Sequence, residues 1–323
     1  MLITLDDAIK KIKENKKIHF AGEENLLNQL PQGNWIGGTI PYFMDSDGGV
    51  ISKDKIFATD IPDYDIKIKC YSENDLEDIT ADAPDNGFSL VIIPATSKAH
   101  VTYAQNAPGY KDIFLKPIIG WISGIHLDEM GKTSPKVFNG LTGEITDQKA
   151  VVMHITLPSN KIASIGIINL FKQGNSDTIT FDTNGFSVKD CFINGKKNNF
   201  SEYLLSNNID IKLPLVANYY GAMINVSFQE IKKDEKTVNL YAPVFKGVEY
   251  KIAIPVSDYV ADFQKALSAG SINPVFSCNC ILNFLYSELE GKKTGNVLGP
   301  ITFGEVAYQL LNQTLTYLEI KDV

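Results

Sequence analysis

The spacing of apolar residues along the chain predicts many short strands and fewer helices. In residues 5–16 the apolar side chains recur at helical spacing, and Asp6 and Asp7 fall in the first turn, where the helix dipole favours them. A short apolar run at residues 88–94 predicts a buried strand, and residues 97–106 predict a helix after it. No regular alternation of strand and helix runs through the chain. The pattern therefore predicts an α+β fold with mixed, largely antiparallel sheets flanked by helices.

Longer segments are interpreted in the same way. Residues 34–43 read as one strand with a glycine interruption, and residues 187–193 and 216–228 read as single strands. A helix is expected to begin near Ser72, with Asp75 three residues later as in a capped first turn.

A turn at residues 174–177 predicts a boundary between two lobes, residues 1–172 and residues 173–323. Glycine-containing segments at residues 117–124 and 300–306 each follow a strand and a helix. We therefore expect two lobes of similar units, with glycine-containing strands meeting between them.

The charge of the chain argues against nucleic-acid binding. The formal net charge is -8, and all 30 basic residues are lysine. Arginine grips phosphates and guanine edges with two parallel hydrogen bonds, whereas lysine acts as a point charge. An acidic chain without arginine is therefore not expected to bind nucleic acid.

The sequence predicts a cytoplasmic location. The first residues carry early acidic side chains and no continuous apolar core, so no secretory signal is expected. No window approaches 18 uninterrupted apolar residues, so no membrane span is predicted. The 4 cysteines are too few for a disulfide framework in a chain of 323 residues.

Catalytic and cofactor motifs are weak. The sequence contains no nucleophile elbow, phosphate-binding loop or zinc-protease motif, so no enzymatic activity is expected. Cys278 follows an apolar strand and precedes a helix, and it could act as a nucleophile only with a distant histidine such as His126 or His100. The simpler interpretation is a buried cysteine at a strand end. The 4 histidines show no ligand spacing, so no metal is predicted.

Several polar residues stand directly after apolar strands and could enter a binding site. Glu305 follows such a strand, and a buried carboxylate needs partners, which makes it a site candidate as well as a candidate solvated turn residue. Asn312 and Thr314 either join a site or satisfy neighbouring backbone groups. Trp121 lies in a glycine-containing strand, where it either walls a pocket or packs in the core.

The order of these segments resembles the FIST family, the sensory domains of F-box and intracellular signal transduction proteins, over nearly the full length. The first half is similar in its glycine-containing strands at residues 34–40 and 117–124, followed by residues 136–140 and 150–155. The second half is similar at residues 185–197 and 200–204, then at residues 276–278, 303–306 and 312–315. This chain departs from the family pattern after Cys278, where Asn279 and Cys280 stand in place of a Gly-Arg pair.

The resemblance implies a sensory protein that binds a small molecule such as an amino acid and signals through a partner protein. No cofactor is expected, although haem is associated with some FIST relatives. The expected pocket lies between the two lobes, where glycine backbone allows close approach to a ligand. The residues expected to line it are Gly37, Gly38, Thr39, Trp121, Ser123, His126, Cys278, Gly304, Glu305, Asn312 and Thr314. Two alternatives stay open, a cysteine-dependent hydrolase or transferase using Cys278, and an interaction protein whose cleft is closed.

Overall fold

The structure is a computed structural model that describes residues 1–219, 221–268 and 272–323. Its helices are α1 (Leu5–Lys13), α2 (Glu24–Leu27), α3 (Asp78–Asp82), α4 (Lys98–Asn106), α5 (Phe200–Ser206), α6 (Tyr259–Ser268) and α7 (Ile281–Tyr286), with 3₁₀ helices η1 (Ala107–Gly109) and η2 (Leu127–Glu129).

The strands of the first half are β1 (Leu2–Ile3), β2 (Lys17–Gly22), β3 (Trp35–Thr39), β4 (Tyr42–Asp45), β5 (Gly48–Ile51), β6 (Ile56–Ile61), β7 (Asp65–Tyr71), β8 (Gly87–Pro94), β9 (Ile118–Ser123), β10 (Val137–Asn139), β11 (Glu144–Thr146), β12 (Ala150–Thr156) and β13 (Lys161–Ile168). Those of the second half are β14 (Ile179–Thr180), β15 (Gly185–Val188), β16 (Asp190–Ile193), β17 (Lys196–Asn199), β18 (Leu215–Tyr219), β19 (Ala222–Val226), β20 (Phe228–Lys232), β21 (Thr237–Val244), β22 (Tyr250–Ile252), β23 (Phe276–Cys280), β24 (Gly299–Thr302), β25 (Glu305–Ala307), β26 (Gln309–Leu311) and β27 (Leu315–Asp322).

Within the described residues these strands form five sheets. Sheet 1 has the order β1-β6-β2-β3-β10-β11, sheet 2 β26-β25-β9-β8-β12-β7, sheet 3 β13-β27-β23-β24-β4-β5, sheet 4 β17-β16-β14-β22-β18-β19, and sheet 5 β15-β21-β20. The pairs β2–β3, β8–β9 and β23–β24 are parallel, and antiparallel pairs make up the rest of these ladders. The prediction of mixed, largely antiparallel sheets with helices is therefore confirmed.

Sheet 2 lies between two hydrophobic cores. Alternate residues of β8 point to opposite faces, so Val91 and Ile93 join a core that includes α4 and sheets 4 and 5. Leu90 and Ile92 join the other core, which includes residues of sheets 1 and 3. Both faces of β8 are covered, and its sequence is accordingly apolar except for the buried Ser89, so the buried strand predicted at residues 88–94 is confirmed.

Sheets 2 and 3 combine strands from both sides of the predicted boundary at residues 172 and 173. β25 pairs with β9 in sheet 2, and β24 pairs with β4 in sheet 3. The division into two lobes stays a prediction.

The helices predicted at residues 5–16 and 97–106 are present as α1 and α4, each with a side-chain N-cap. Thr4 accepts a hydrogen bond from the backbone of Asp7, and Ser97 accepts one from the backbone of His100. α1 ends earlier than predicted because Asn15 adopts a left-handed conformation with φ of 59°.

Three predicted strands are each two strands in the structure. Residues 34–43 divide into β3 and β4, which belong to different sheets, because Pro41 lacks the N–H that would continue the ladder. Residues 187–193 likewise divide between β15 and β16. Residues 216–228 form the hairpin β18–β19, where the Gly221 N–H donates to Asn218 Oδ1 at 2.7 Å, and residue 220 lies outside the described residues.

The predicted helix start at Ser72 is also wrong. The Ser72 hydroxyl donates to the Asp75 carboxylate at 2.8 Å, and this contact closes a turn. The helix in this region, α3, begins at Asp78. Among the described residues, no helix has the length and apolar character needed to cross a membrane.

Candidate functional site

A cleft of about 430 Å³ lies at the carboxyl ends of parallel strands. In sheet 1, β2 ends at Gly22 and β3 at Thr39, and in sheet 2, β9 ends at Ser123. The residues that follow these strand ends meet at the cleft. This is the place where open sheets with parallel strands commonly bind ligands. The residues that line the cleft are Glu23, Glu24, Asn25, Asn28, Thr39, Ile40, Pro41, Lys53, Gly124, Ile125, Glu129, Thr133 and Ser134.

Two ion pairs stand at the cleft. Lys136 Nζ lies 2.5 Å from Glu24 Oε1, and Lys53 Nζ lies 2.8 Å from Glu129 Oε1. The hydrogen bond between Lys53 and Glu129 raises the pKa of the lysine and lowers the pKa of the carboxyl group. Both lysines are therefore already matched to a carboxylate.

Glu23 is the exception among these charged groups. Its Oε1 is buried and has no hydrogen-bond partner within the part of the chain that the structure describes. Burial raises the pKa of the Glu23 carboxyl group, and repulsion from Glu129 raises it further. Lys53 and His126 oppose this change without reversing it. The cleft thus presents one carboxyl oxygen, Oε1 of Glu23, that the described residues leave without a hydrogen-bond partner.

Thr39 fixes the backbone around the cleft. Its hydroxyl oxygen accepts a hydrogen bond from the Lys136 N–H at 2.9 Å, and its carbonyl oxygen accepts one from the Gly124 N–H at 2.8 Å. These bonds tie the end of β3 to the end of β9 and to the segment that carries Lys136. Thr39 is the member of the predicted set that lines this cleft.

His126 stands beside the cleft and begins η2. Its ring stacks on Tyr42 with centroids 5.7 Å apart, and its Nδ1 accepts a hydrogen bond from the Asp128 N–H at 3.3 Å. The Tyr42 hydroxyl accepts a hydrogen bond from the Leu127 N–H at 3.0 Å. Ser123, at the end of β9, is fully buried and its hydroxyl has no partner among the described residues.

The predicted residues of the second half lie in a buried polar cluster instead. Glu305 is fully buried, and its Oε2 accepts hydrogen bonds from the Thr314 hydroxyl at 2.7 Å and the Thr314 N–H at 3.2 Å. Burial raises the pKa of Glu305 to about 8, although these two hydrogen bonds act in the opposite direction. The Asn312 amide nitrogen donates to the Leu311 carbonyl at 3.0 Å, while its Oδ1 has no partner within the described chain. Glu305 and Asn312 lie away from the lining of the cleft.

Cys278 shows the environment of a structural thiol. It is 1% exposed, and its Sγ donates to the Gly120 carbonyl at 3.3 Å and lies 3.2 Å from the Thr316 hydroxyl. Burial and the nearby Glu305 raise the pKa of Cys278 well above its ordinary value. A nucleophilic cysteine needs a stabilised thiolate, and these contacts do not provide one.

The predicted glycines serve close packing. A Cβ atom at Gly38 would lie 2.7 Å from Ile92 and 2.8 Å from the Trp121 ring, and one at Gly37 would lie 3.2 Å from the Trp35 ring. Gly304 is similarly close to core side chains. Trp121 is fully buried, and its indole N–H donates to His19 Nε2 at 2.7 Å. The structure therefore brings the predicted residues together in two groups, one beside the cleft and one inside the core.

Glu23, Glu24, Lys53, Glu129 and Lys136 were not predicted as site residues. A signal for the first two exists in the sequence, because two consecutive glutamates directly follow a strand that ends in glycine. The remaining three come from separate segments of the chain, two loops and η2, and only folding brings them to that strand end.

A second depression of about 550 Å³ lies beside α6, at Asn169, Ile254 and Lys265 among others. The amide of Asn169 is paired with Asn225 and with the Met223 carbonyl. Within the described chain, none of the buried atoms without a hydrogen-bond partner belongs to its lining. We therefore take the cleft at Glu23 as the candidate site.

Comparison with known proteins identifies a family and no function. A protein-family model described as a family of unknown function, DUF6976, matches residues 3–321. No curated protein matches the chain. The expected membership of the FIST family is wrong, because the match over nearly the whole chain is to this other family. The predicted signalling partner, the alternative of haem and the cytoplasmic location stay predictions.

Proposed function

The chain belongs to the family of unknown function DUF6976, and from its site we propose that it binds a small primary amine of amino-acid size in the cleft at Glu23. The ammonium group of the ligand lies beside the Glu23 carboxylate. One observation carries the proposal: Oε1 of Glu23 is buried beside the cleft without a hydrogen-bond partner in the described chain.

The balance of charge at the cleft favours a cation. Glu24 and Glu129 each have a lysine within 2.8 Å, whereas Glu23 has no such pair among the described residues. A buried carboxylate without a partner is costly, and a ligand that donates hydrogen bonds from an ammonium group removes that cost. The cation would also lower the pKa of Glu23 toward its ordinary value.

The size of the cleft favours a small molecule. About 430 Å³ falls within the usual volume of small-molecule sites, about 300 to 1,000 Å³. Thr133 and Ser134 add exposed hydroxyl groups at the rim, and Ile40, Pro41 and Ile125 supply apolar contacts. This lining suits an amine attached to a short, partly apolar body.

A matched series of ligands tests the proposal. The full chain is screened by thermal shift against the common L-amino acids with uncharged side chains, as free acids, as C-terminal amides and as N-acetylated amides. The amides carry one positive charge, the free acids are zwitterions, and the N-acetylated amides have no ammonium group. We expect the amides to stabilise the protein most, because only they present a cation without an added carboxylate.

Calorimetry with the tightest amide then compares the wild type with E23Q. We expect E23Q to bind it about tenfold to hundredfold more weakly, the usual value of a hydrogen bond to a charged group. The exposed Glu14, changed as E14Q, is the control and should bind like the wild type. Equal binding by E23Q, or N-acetylated amides that bind as tightly as free amines, would contradict the proposal.

A further inference from the structure

A cavity of about 100 Å³, distinct from the cleft and from the depression beside α6, lies on the other side of η2. Its lining is mainly apolar, whereas the lining of the cleft is charged. Its walls come from both halves of the chain, and no lysine, aspartate or glutamate lines it within the described residues. The apolar side chains around it are Leu127, Met130, Ile281, Leu282, Leu285 and Phe303.

The cavity is open to solvent on one side. Ile281 and Leu282 are 6% and 5% exposed, so they form its inner wall. Met130 and Leu285 are 50% and 40% exposed and stand at the rim. An apolar ligand can therefore enter past these two side chains and reach the buried wall.

Thr96, His100, Gln229 and Tyr241 add polar groups to this lining, and within the described residues only His100 among them has a buried polar atom without a hydrogen-bond partner. The His100 Nδ1 accepts a hydrogen bond from the Thr96 N–H at 3.2 Å, so the proton of the neutral ring resides on Nε2. Nε2 is buried and has no hydrogen-bond partner in the described chain. Burial also lowers the pKa of His100 to about 4, which keeps the ring neutral near pH 7. The cavity thus holds one buried, uncharged N–H donor without a partner among the described residues, in a lining that is mainly apolar.

The backbone beside His100 is held in an uncommon conformation. Thr96 has a φ of 64°, which β-branched residues rarely adopt. This conformation accompanies the contact of its N–H with Nδ1 of His100, which fixes the tautomer that leaves Nε2 as the donor.

We propose that this cavity binds a small neutral molecule with a ring-sized apolar body and one carbonyl group, whose oxygen accepts a hydrogen bond from His100 Nε2. An apolar cavity of about 150 Å³ holds benzene. This cavity, at about 100 Å³, is smaller but opens past Met130 and Leu285, so a single six-membered ring can enter it with part of the ring at the rim. A carboxylate does not suit it, since no cationic side chain lines the cavity within the described residues and a few neutral polar groups cannot replace the hydration of a charge. The site is separate from the amine site at Glu23.

Acetophenone and ethylbenzene form the matched pair of probes. They have nearly the same shape, but only acetophenone carries a carbonyl oxygen. By calorimetry on the full chain we expect acetophenone to bind about fivefold to tenfold more tightly, the value of one neutral hydrogen bond. Long-range ¹H–¹⁵N spectra of the wild type should show the His100 Nε2 resonance move with acetophenone and not with ethylbenzene.

Two variants test whether the preference for acetophenone depends on the His100 N–H donor and whether this cavity is independent of the amine site. H100N keeps an acceptor for the Thr96 N–H but loses the Nε2 donor, so the preference for acetophenone should fall to within about twofold. E23Q should bind acetophenone like the wild type, which keeps this test independent of the amine site.

The proposal is overturned if neither probe binds, if both bind equally to the wild type, or if acetophenone leaves the chemical shift of the His100 Nε2 resonance unchanged. The spectra of the wild type decide the matter alone if H100N does not fold.

Discussion

The two cavities on either side of η2 differ in chemistry although they share a wall. Glu129 of η2 lines the cleft, whereas Leu127 of η2 and the adjacent Met130 line the apolar cavity. The cleft holds charged carboxylate and lysine groups, whereas the lining of the apolar cavity is mainly apolar, and its polar side chains, Thr96, His100, Gln229 and Tyr241, carry no lysine or carboxylate charge. Each nevertheless contains a single buried atom for which the described chain offers no partner, an acceptor in Glu23 and a donor in His100.

This comparison shows that the surroundings of an unpaired polar atom decide which class of ligand the atom indicates. An unpaired carboxylate next to satisfied ion pairs selects a cation, and an unpaired neutral donor among carbons selects a neutral acceptor. Glu305 also has an oxygen, Oε1, without a hydrogen-bond partner in the described part of the chain, but this residue is fully buried and lies away from both cavity linings. It should therefore affect stability and leave both binding reactions unchanged.

The largest expected effect concerns the pH dependence of stability at Glu305. Its pKa is about 8 in the folded protein against an ordinary value of 4.5, so the folded chain retains a proton that the unfolded chain releases. The resulting stabilisation is complete below pH 4.5 and is lost as pH rises through 8. Relative to E305Q, the wild type should lose up to about 5 kcal/mol of unfolding free energy between these pH values.

Urea unfolding of the wild type and E305Q at pH 5, 6, 7 and 8 measures the difference between their unfolding free energies. The contributions of the other titrating groups cancel in this difference because both proteins contain them. A difference that stays constant across this range would contradict the role of Glu305. Loss of amine binding by a folded E305Q would show that Glu305 belongs to a site after all.

The next largest effect is on stability, and it should differ between a residue that lines the apolar cavity and one that lines the cleft. Leu282 is 5% exposed in the apolar cavity, and Leu282→Ala should cost about 2 to 5 kcal/mol of unfolding free energy. Asn28 is exposed at the cleft, and Asn28→Ala should change stability by less than about 0.5 kcal/mol. Denaturant unfolding measures both, and similar values for the two variants would remove the contrast between a packed cavity and an open cleft.

The smallest expected effect is coupling between the cavities through η2. A ligand that contacts Glu129 and one that contacts Leu127 act on the same three-residue helix. We expect a saturating amino-acid amide to change the affinity for acetophenone about twofold to fivefold, and acetophenone to change the affinity for the amide by the same factor. Calorimetric titrations in both orders measure this reciprocity, and fully independent affinities would show that η2 is a rigid partition.

Local patterns predicted much of the fold. The strand at residues 88–94 and the helix at residues 97–106 depend on apolar runs and on the capping Ser97, which are visible in the sequence. The segment at residues 34–43 was misjudged because its two strands continue into different sheets around Pro41. Sheet membership depends on pairing between distant strands, which periodicity does not report.

The candidate site was less predictable than the fold. Thr39 and His126 were predicted and stand at or beside the cleft, and His100 was considered only as a partner for a nucleophile. Glu305 was correctly considered a candidate for burial, yet burial placed it in the core instead of a pocket. Charge pairs such as Lys53 with Glu129 join residues 76 positions apart, and no local spacing indicates them.

The most direct test of the central claim is a titration of the Glu23 carboxyl group by carbon-detected NMR, with and without the tightest-binding amide. The account predicts a pKa above the ordinary value of 4.5 in the free protein, which falls toward that value when the amide is bound. A Glu23 pKa that is the same in the free and the saturated protein would contradict the assignment of Glu23 as the partner of a bound amine.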